Sequence, residues 1–180
     1  MNIGFLPTRF DVASLTAELA AHPEVWGQYP WRTEHPRSPH REASDVWVRY
    51  NALERLGPHF NDAHEAQWYP VCDLLPAAKR LASEVAQTMG ATSLGGVLIT
   101  KVPAGKQIYP HIDLGWHALH YEKIAVQIAG NDKQAFCFED GHVSAQPGQS
   151  YWFNNQATHW VTNESDEDRI TFICCIRRVH

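Results

Sequence analysis

The sequence lacks a surplus of basic residues, a long hydrophobic run and a paired-cysteine motif, and each absence excludes a class of protein. Fifteen Lys and Arg stand against 20 Asp and Glu, a formal net charge of −5, which argues against binding nucleic acid mainly by charge. No stretch approaches the ~20 apolar residues of a membrane span, and the N-terminus has no signal-peptide pattern. We therefore expect a cytoplasmic protein without a membrane or nucleic-acid partner.

The four cysteines form no CxxC pair, which argues against a zinc knuckle or a thioredoxin-type motif. Cys174 and Cys175 are adjacent in an apolar run and would face opposite sides of a strand. We expect reduced thiols of the core and a reducing compartment. The cysteines are Cys72, Cys137, Cys174 and Cys175.

The first half of the chain predicts two helices. Residues 11–21 form an amphipathic pattern that Asp11 can cap. Residues 73–89 form a clearer pattern, capped by Asp73 and ended by Gly90. The segments between and beside these helices are predicted as a loop over 27–45, which is either a lid or a plain surface excursion, a strand over 45–50 and a helical turn within 61–68.

After Gly90, short β-rich runs alternate with turn signals, which is typical of a sandwich or barrel. With 44% hydrophobic and 19% charged residues, the 180 residues fit one globular domain. We expect N-terminal helical support and loops over 1–93 and a β-barrel core over 94–180. The predicted strands are 94–103, 106–112, 121–129, 134–139, 149–154, 157–162 and 168–178.

The stretch GKQIYPHIDLGWH, residues 105–117, places His111 and Asp113 two residues apart. On a strand their side chains share a face about 6–7 Å apart, which suits two ligands of one metal ion. A second imidazole is then needed from elsewhere in the fold. The downstream candidates are His117, His120, His142 and His159.

His159 stands out because an inward arginine accompanies it. The turn NESDED separates His159 from Arg169, and the two are symmetric about Glu164, so a hairpin folded there would place them opposite each other on one face. An inward guanidinium requires an anionic partner. The bland alternative is a surface Arg169 paired with Asp166 or Asp168.

Two imidazoles and one carboxylate on one face of a metal are typical of Fe(II) oxygenases. Their natural carboxylate co-substrate is 2-oxoglutarate, whose distal carboxylate needs a cation such as Arg169. The rival pair His117 and His120 diverges at i, i+3 on a strand.

Residues 94–177 resemble the aspartyl/asparaginyl β-hydroxylase branch of the 2-oxoglutarate/Fe(II) dioxygenases. The matching motifs are VPAGKQIYPHID, PGQSYWF, and HWVTN with an Arg ten residues after its His. The resemblance implies a mainly β fold with N-terminal helices, a double-stranded β-helix (a jelly-roll, cupin-like barrel). It also implies that His111, Asp113 and His159 bind iron, that Arg169 binds the distal carboxylate, and that the Thr100 hydroxyl helps.

The chain departs from the branch on the strand after Asp113. In YEKIAVQI, Lys123 stands at the usual Arg position and Ala125 at the usual His position, so one contact to 2-oxoglutarate is missing. Lys123 is a candidate substrate contact. Trp116, with the neighbouring histidines, is a candidate for the substrate entrance.

The expected function is an Fe(II)- and 2-oxoglutarate-dependent oxygenase that uses O2, most simply a hydroxylase of an Asp/Asn-type side chain in a peptide, or of a small molecule. A prolyl-hydroxylase-like enzyme is a second reading. A nucleic-acid demethylase would want a further Arg at position 175, which is Cys. Outside this class stand a non-oxygenase cupin-like metal-binding protein or isomerase, and a silent barrel that binds protein.

Overall fold

The computed structural model describes residues 1–57, 59–60 and 62–179. The strands are β1 (Ile3–Arg9), β2 (Ser44–Tyr50), β3 (Gln67–Trp68), β4 (Ser93–Val102), β5 (Gln107–His111), β6 (Glu122–Ala129), β7 (Gln134–Phe138), β8 (Gly141–Val143), β9 (Gln149–Phe153), β10 (His159–Asn163) and β11 (Arg169–Arg177). The helices are α1 (Ala13–Ala21), α2 (Pro76–Thr88) and α3 (Trp116–His120), and 3-10 turns span Pro23–Val25, Leu53–Arg55 and Pro70–Asp73.

The strands form two antiparallel sheets. The larger has seven strands in the order β1-β9-β6-β11-β4-β2-β3, and the smaller has four in the order β5-β10-β7-β8. The first four strands lie in the larger sheet, and from β4 onward the chain passes repeatedly between the sheets. Side chains from both sheets line one cavity. This is the jelly-roll arrangement of a double-stranded β-helix, so the predicted fold class is confirmed.

The period of two along the strands separates a helix-covered face from a cavity face. On β11, Phe172, Cys174 and Ile176 pack under α1 and α2, while the alternate residues line the cavity. Burying each large apolar side chain stabilises the fold by about 1.5–3 kcal/mol. The prediction that Cys174 and Cys175 face opposite sides is thereby confirmed, and all four cysteines are free.

The two predicted helices exist, but their N-terminal contacts differ. Asp11 accepts a hydrogen bond from the Ala13 N–H at 2.9 Å, as expected. Asp73 does not cap α2, because it ends a 3-10 turn; the carboxylate of Glu18 on α1 instead accepts from the Ala77 N–H at 2.9 Å. A partner 59 residues away in sequence thus replaced the local cap. Gly90, at φ +64°, ends α2 as predicted.

Two local predictions were wrong. Residues 62–66 are irregular and 67–68 form strand β3 rather than a helical turn, because their backbone pairs with β2; residue 61 lies outside the described residues. The hairpin of β10 and β11 is absent, since β10 pairs with β5 and β7 while β11 pairs with β4 and β6. Strands β1 and β8 and helix α3 were not predicted from the sequence. The division at residues 93 and 94 stays a prediction.

The loop between the 3-10 turn Pro23–Val25 and β2, residues 26–43, lies along β5, the edge strand of the smaller sheet. Tyr109 N–H donates to the Pro39 carbonyl at 2.9 Å, and Gln107 N–H donates to the Glu42 carboxylate at 3.2 Å. The loop therefore covers the open edge beside His111. Within the described ranges, no helix has the length and hydrophobicity to cross a membrane.

Candidate active site

A cavity that is partly open to solvent lies between the two sheets. Apolar side chains line most of it, and a few convergent polar groups interrupt them, which is the usual make-up of a small-molecule site. The polar and charged groups are Arg32, His40, Thr100, His111, Asp113, His117, Lys123, His159, Arg169, Thr171 and Cys175.

His111, Asp113 and His159 meet in this cavity. Strands β5 and β10 place His111 and His159 opposite each other in register. Asp113 follows β5, and its Oδ1 lies 3.7 Å from His111 Nε2 and 3.9 Å from His159 Nε2. The three donor atoms lie within 4.8 Å of one another, so they can share one metal ion.

Hydrogen bonds to the backbone orient both imidazoles. Nδ1 of His111 bonds the Tyr109 carbonyl at 2.7 Å, and Nδ1 of His159 bonds the Ala157 carbonyl at 2.9 Å. Each Nδ1 therefore carries the proton, which leaves the Nε2 lone pair for a metal. Burial, followed by the charge of His159, lowers the pKa of His111 to about 4. Burial also lowers the pKa of His159.

Asp113 is held as a carboxylate. Burial works against its ionisation, but Lys123, His159 and His111 outweigh burial, so that its pKa is lowered. Neutral imidazoles beside a charged carboxylate are the protonation states that metal binding needs.

Arg169 points inward, although the predicted hairpin that placed it there does not exist. Its side chain is 3% exposed and lines the same cavity as His159 from the opposite sheet. Its NH1 donates to Thr171 Oγ1 at 2.5 Å and its NH2 to the Tyr151 hydroxyl at 3.0 Å. Asp168 instead accepts from the Ala104 N–H. Within the described part of the chain, Arg169 has no carboxylate partner.

A second buried arginine comes from the 26–43 loop. Arg32 forms a two-pronged ion pair with Asp45, with Nε–Oδ2 at 2.6 Å and NH2–Oδ1 at 2.9 Å. It also donates to Thr100 Oγ1 at 2.7 Å, and its NH1 lies 2.9 Å from His40 Nε2. Thr100 in turn donates to Asp45 Oδ1 at 3.0 Å. The Thr100 hydroxyl is thus already engaged, and its role toward 2-oxoglutarate stays a prediction.

Lys123 is a buried cation close to the metal-binding group. Its Nζ lies 3.8 Å from Asp113 Oδ2 and 3.3 Å from Cys175 Sγ. Burial lowers the pKa of its amine, but Cys175 and Asp113 more than offset this and the pKa is raised. Ala125, two residues on, is fully buried and lies opposite Tyr151 on β9, so the Tyr151 ring borders the position of the missing His.

The remaining predicted residues lie nearer the mouth. Trp116 stacks on His120 with ring centroids 4.5 Å apart and is not among the cavity-lining residues that are described, so its place at a substrate entrance stays a prediction. His117 does not pair with His120 on a metal. Its buried Nε2 accepts from the Gly96 N–H at 2.9 Å, and burial lowers its pKa to about 2.

His117 also explains a glycine. A Cβ at Gly96 would lie 3.1 Å from the His117 ring and 3.1 Å from Tyr50, so a larger residue would have to displace these rings by a few tenths of an ångström. His142, a candidate second imidazole, is exposed and does not line the cavity. Arg49 donates to the carbonyls of Gly95 and Leu94 and has a structural role.

Sequence reasoning missed several polar residues of the site. Thr171 could have been found, since it lies two residues after Arg169 on the same strand face. Tyr151 stands in the quoted PGQSYWF motif. Arg32 and His40 carry no local signal, because only the long-range ion pair with Asp45 brings their irregular loop to the cavity.

Comparison with known proteins agrees with this geometry. The sequence profile of a family described as aspartyl/asparaginyl beta-hydroxylase matches residues 12–179. No curated protein sequence matches the chain.

Three solved structures illustrate the similarity in fold. A Trichoplax adhaerens prolyl hydroxylase, solved with a hypoxia inducible factor peptide, is 12% identical with a TM-score of 0.63 (97% of this chain, 83% of that one). A Burkholderia pseudomallei oxidoreductase of the 2OG-Fe(II) oxygenase family is 15% identical with a TM-score of 0.57, at the same coverage. A Paramecium bursaria Chlorella virus-1 collagen prolyl hydroxylase in complex with 2OG is 11% identical with a TM-score of 0.54 (100% and 97%).

The residues present fit Fe(II) and 2-oxoglutarate. Two imidazoles with free Nε2 atoms and one carboxylate converge, as a ferrous ion requires. In the same cavity, the buried guanidinium of Arg169 is bonded to two neutral hydroxyls and has no carboxylate partner among the described residues, so it is suited to bind a second carboxylate.

Proposed function

Because the chain belongs to the aspartyl/asparaginyl β-hydroxylase family, we propose that it hydroxylates a carboxylate-bearing side chain, that of an aspartyl residue in a peptide. The chain is a 2-oxoglutarate-dependent dioxygenase of the hydroxylase type, with Fe(II) and 2-oxoglutarate as its cofactors. The observation that carries the proposal is the meeting of His111, Asp113 and His159 with Arg169 in one cavity.

In this proposal the three converging side chains hold the metal. Nε2 of His111, Nε2 of His159 and a carboxylate oxygen of Asp113 bind Fe(II), and the backbone bonds at each Nδ1 fix the rings for it. Bound Fe(II), together with 2-oxoglutarate and O2, supplies the oxidation of an unactivated C–H bond. The apolar walls of the cavity shield this chemistry from water.

Arg169 orients 2-oxoglutarate by its distal carboxylate. Its guanidinium stands between Thr171 and Tyr151, whose hydroxyl groups hold it in place and also face the cavity side of the larger sheet. A carboxylate arriving there replaces missing negative charge, and its charge-assisted hydrogen bonds are about twice as strong as neutral ones. A 2-oxoglutarate held there by its distal carboxylate would leave its keto acid end available to the metal-binding side chains in the same cavity.

Charge balance favours an acidic substrate over an amide. Arg32, Lys123 and Arg169 bring three positive charges to the cavity, whereas Asp45 and Asp113 bring two negative ones. Fe(II) and the 2-oxoglutarate dianion cancel each other. One positive charge then remains uncompensated in a buried site, which is costly. Lys123, beside the metal-binding group, is the cation placed to bind a substrate carboxylate.

The test is substrate-dependent succinate formation from 2-oxoglutarate with Fe(II) under air. Matched peptides that differ only in one Asp or Asn serve as substrates, with a peptide-free reaction as background. We expect turnover with the Asp peptides above background, loss of turnover in His111→Ala, and loss of the preference for Asp over Asn in Lys123→Met. Turnover that survives His111→Ala would refute the metal site.

A second measurement separates an oxygenase from a cupin-like metal-binding protein or isomerase. Calorimetry of 2-oxoglutarate with Mn²⁺-loaded protein should give binding in the unmodified chain and a large loss in Arg169→Ala. A non-oxygenase metal-binding protein predicts that Arg169→Ala changes nothing, because it has no use for an inward guanidinium.

A further inference from the structure

We infer that Lys123 and Cys175 form a reversible covalent N–O–S bridge on oxidation, so that this pair is a modification site inside the cavity. The two residues are direct partners on adjacent strands β6 and β11. Nζ of Lys123 lies 3.3 Å from Sγ of Cys175. Both side chains line the cavity and are shielded from solvent, with 13% of the Lys123 side chain and 4% of Cys175 exposed.

The position of the pair brings it to the oxidant. Lys123 Nζ is 3.8 Å from Asp113 Oδ2, so the pair borders the place where the proposed function brings O2. Strand pairing fixes the two Cα atoms, so nitrogen and sulfur stay close without a search. Cys174, one residue away, faces the helix-covered side and has no amine beside it in the described structure; its Sγ lies 4.0 Å from the Ala82 carbonyl oxygen.

The reaction balances with one molecule of dioxygen. The amine and thiol together hold three protons, whether as neutral groups or as ammonium and thiolate. One N–H bond, the S–H bond and the O–O bond break, and N–O and O–S bonds form. One oxygen atom becomes the bridge, and the other leaves as water with two protons. Nitrogen and sulfur each lose two electrons, and dioxygen gains four. With hydrogen peroxide, two molecules are consumed and three waters are released.

The bridge would switch off substrate binding. It removes the positive charge of Lys123, which in the proposed function binds the substrate carboxylate, and it ties the amine to β11. Thiols can reduce cysteine sulfur that has not been oxidised as far as sulfinic acid, and the sulfur of this bridge is below that level. The consequence for activity therefore rests on the proposed function, whereas the bridge itself does not.

Intact-protein mass spectrometry tests the bridge. The metal-free full chain is treated with hydrogen peroxide, and the Fe(II)- and 2-oxoglutarate-loaded chain is exposed to air, both without thiol. The bridge adds one oxygen and removes two hydrogens, so we expect a gain of about 14 Da that dithiothreitol reverses. Digestion should yield one cross-linked peptide pair containing residues 123 and 175.

Three variants make the result specific. Lys123→Arg and Cys175→Ser should both abolish the mass gain, and Cys174→Ala should keep it. If exposure alone decided, the half-buried Cys72 and Cys137 would be oxidised while Cys175 stayed unchanged, and that outcome would overturn the inference. The peroxide arm needs neither iron nor substrate. A bridge in the peroxide arm, together with no succinate formation by the reduced, unbridged chain in the turnover assay, would thus refute only the proposed function. Succinate formation by the reduced chain without a bridge in either arm would refute only this inference.

Discussion

The cavity holds two buried arginines whose surroundings are opposite. Arg32 is bonded to an almost fully buried carboxylate, a threonine and a histidine. Arg169 is bonded to two neutral hydroxyls. A buried guanidinium is stable only with negative charge beside it, so Arg32 is complete in the protein alone, whereas Arg169 is complete only with an anionic ligand. The same residue type therefore serves the fold in one case and ligand binding in the other, although the threonines that the two arginines bond, Thr100 and Thr171, are direct partners on β4 and β11.

The largest effect on stability is expected when Arg32, the arginine with a carboxylate partner, is replaced. Arg32→Met leaves Asp45, whose side chain is 1% exposed, as an uncompensated buried charge. We expect the free energy of unfolding to fall by about 3–5 kcal/mol, measured by urea denaturation. Arg32→Met combined with Asp45→Leu should recover most of the loss, because the pair is then replaced as a unit. A single-variant loss below ~1 kcal/mol would mean that the ion pair is solvated like a surface pair.

Replacing Arg169 should have the opposite consequences, with little effect on stability and a large effect on ligand affinity. Arg169→Met removes a buried charge without a partner, so we expect no loss of unfolding free energy and even a gain. The dissociation constant of 2-oxoglutarate for the Mn²⁺-loaded protein should rise about 30–100-fold, equivalent to about 2–3 kcal/mol. Arg169→Lys should recover only part of this affinity, since an ammonium cannot bond both ligand oxygens in the guanidinium geometry. A strongly destabilised Arg169→Met would contradict the comparison.

The pH dependence of the unfolding free energy should also distinguish the surroundings of Arg32 from those of Arg169, by a smaller amount. Burial, and then the charge of Arg32, lower the pKa of His40 well below 6.5. As the pH falls below 6.5, the unfolded chain therefore gains a proton that the folded chain does not, and stability is lost. Between pH 7 and 5 this loss amounts to up to about 2 kcal/mol.

The matched variant is His40→Gln, whose amide oxygen still accepts from Arg32. Its unfolding free energy should fall less than that of the unmodified chain between pH 7 and pH 5. Thr171→Ser, beside Arg169, should leave the pH dependence unchanged because its hydroxyl does not titrate there. Equal losses in His40→Gln and the unmodified chain would show that His40 is free to protonate in the fold.

The two arginines also mark how far sequence reasoning reaches. The inward orientation of Arg169 and Thr171 can be predicted from strand periodicity, because inward positions repeat every second residue. The conclusion held even though its premise failed: His159 and Arg169 meet across two sheets, not within one hairpin. Strand alternation fixes which face a residue occupies, but not which sheet its strand joins.

The position of Arg32 in the cavity could not be predicted, because it depends on contacts between an irregular loop and distant strands. Asp45 was within the predicted strand 45–50, yet nothing in the surrounding sequence indicates that it pairs with Arg32, 13 residues earlier. The short strand β3 and the Glu18 contact to α2 were missed for the same reason. Both arise from tertiary pairing that overrides local propensity.

The smallest effect is expected from removing one of the two hydroxyls that Arg169 bonds. Tyr151→Phe keeps a fully buried ring against Phe136 and Phe153 but removes the acceptor of Arg169 NH2. We expect 2-oxoglutarate affinity to fall by about 1 kcal/mol, or roughly fivefold, with the maximal rate unchanged. Tyr69→Phe is the matched control, since it also deletes one buried hydroxyl, bonded to the Asn51 carbonyl at 2.6 Å away from the cavity. It should lower stability and leave 2-oxoglutarate affinity alone; equal affinity losses in both variants would mean that Tyr151 acts through folding rather than through Arg169.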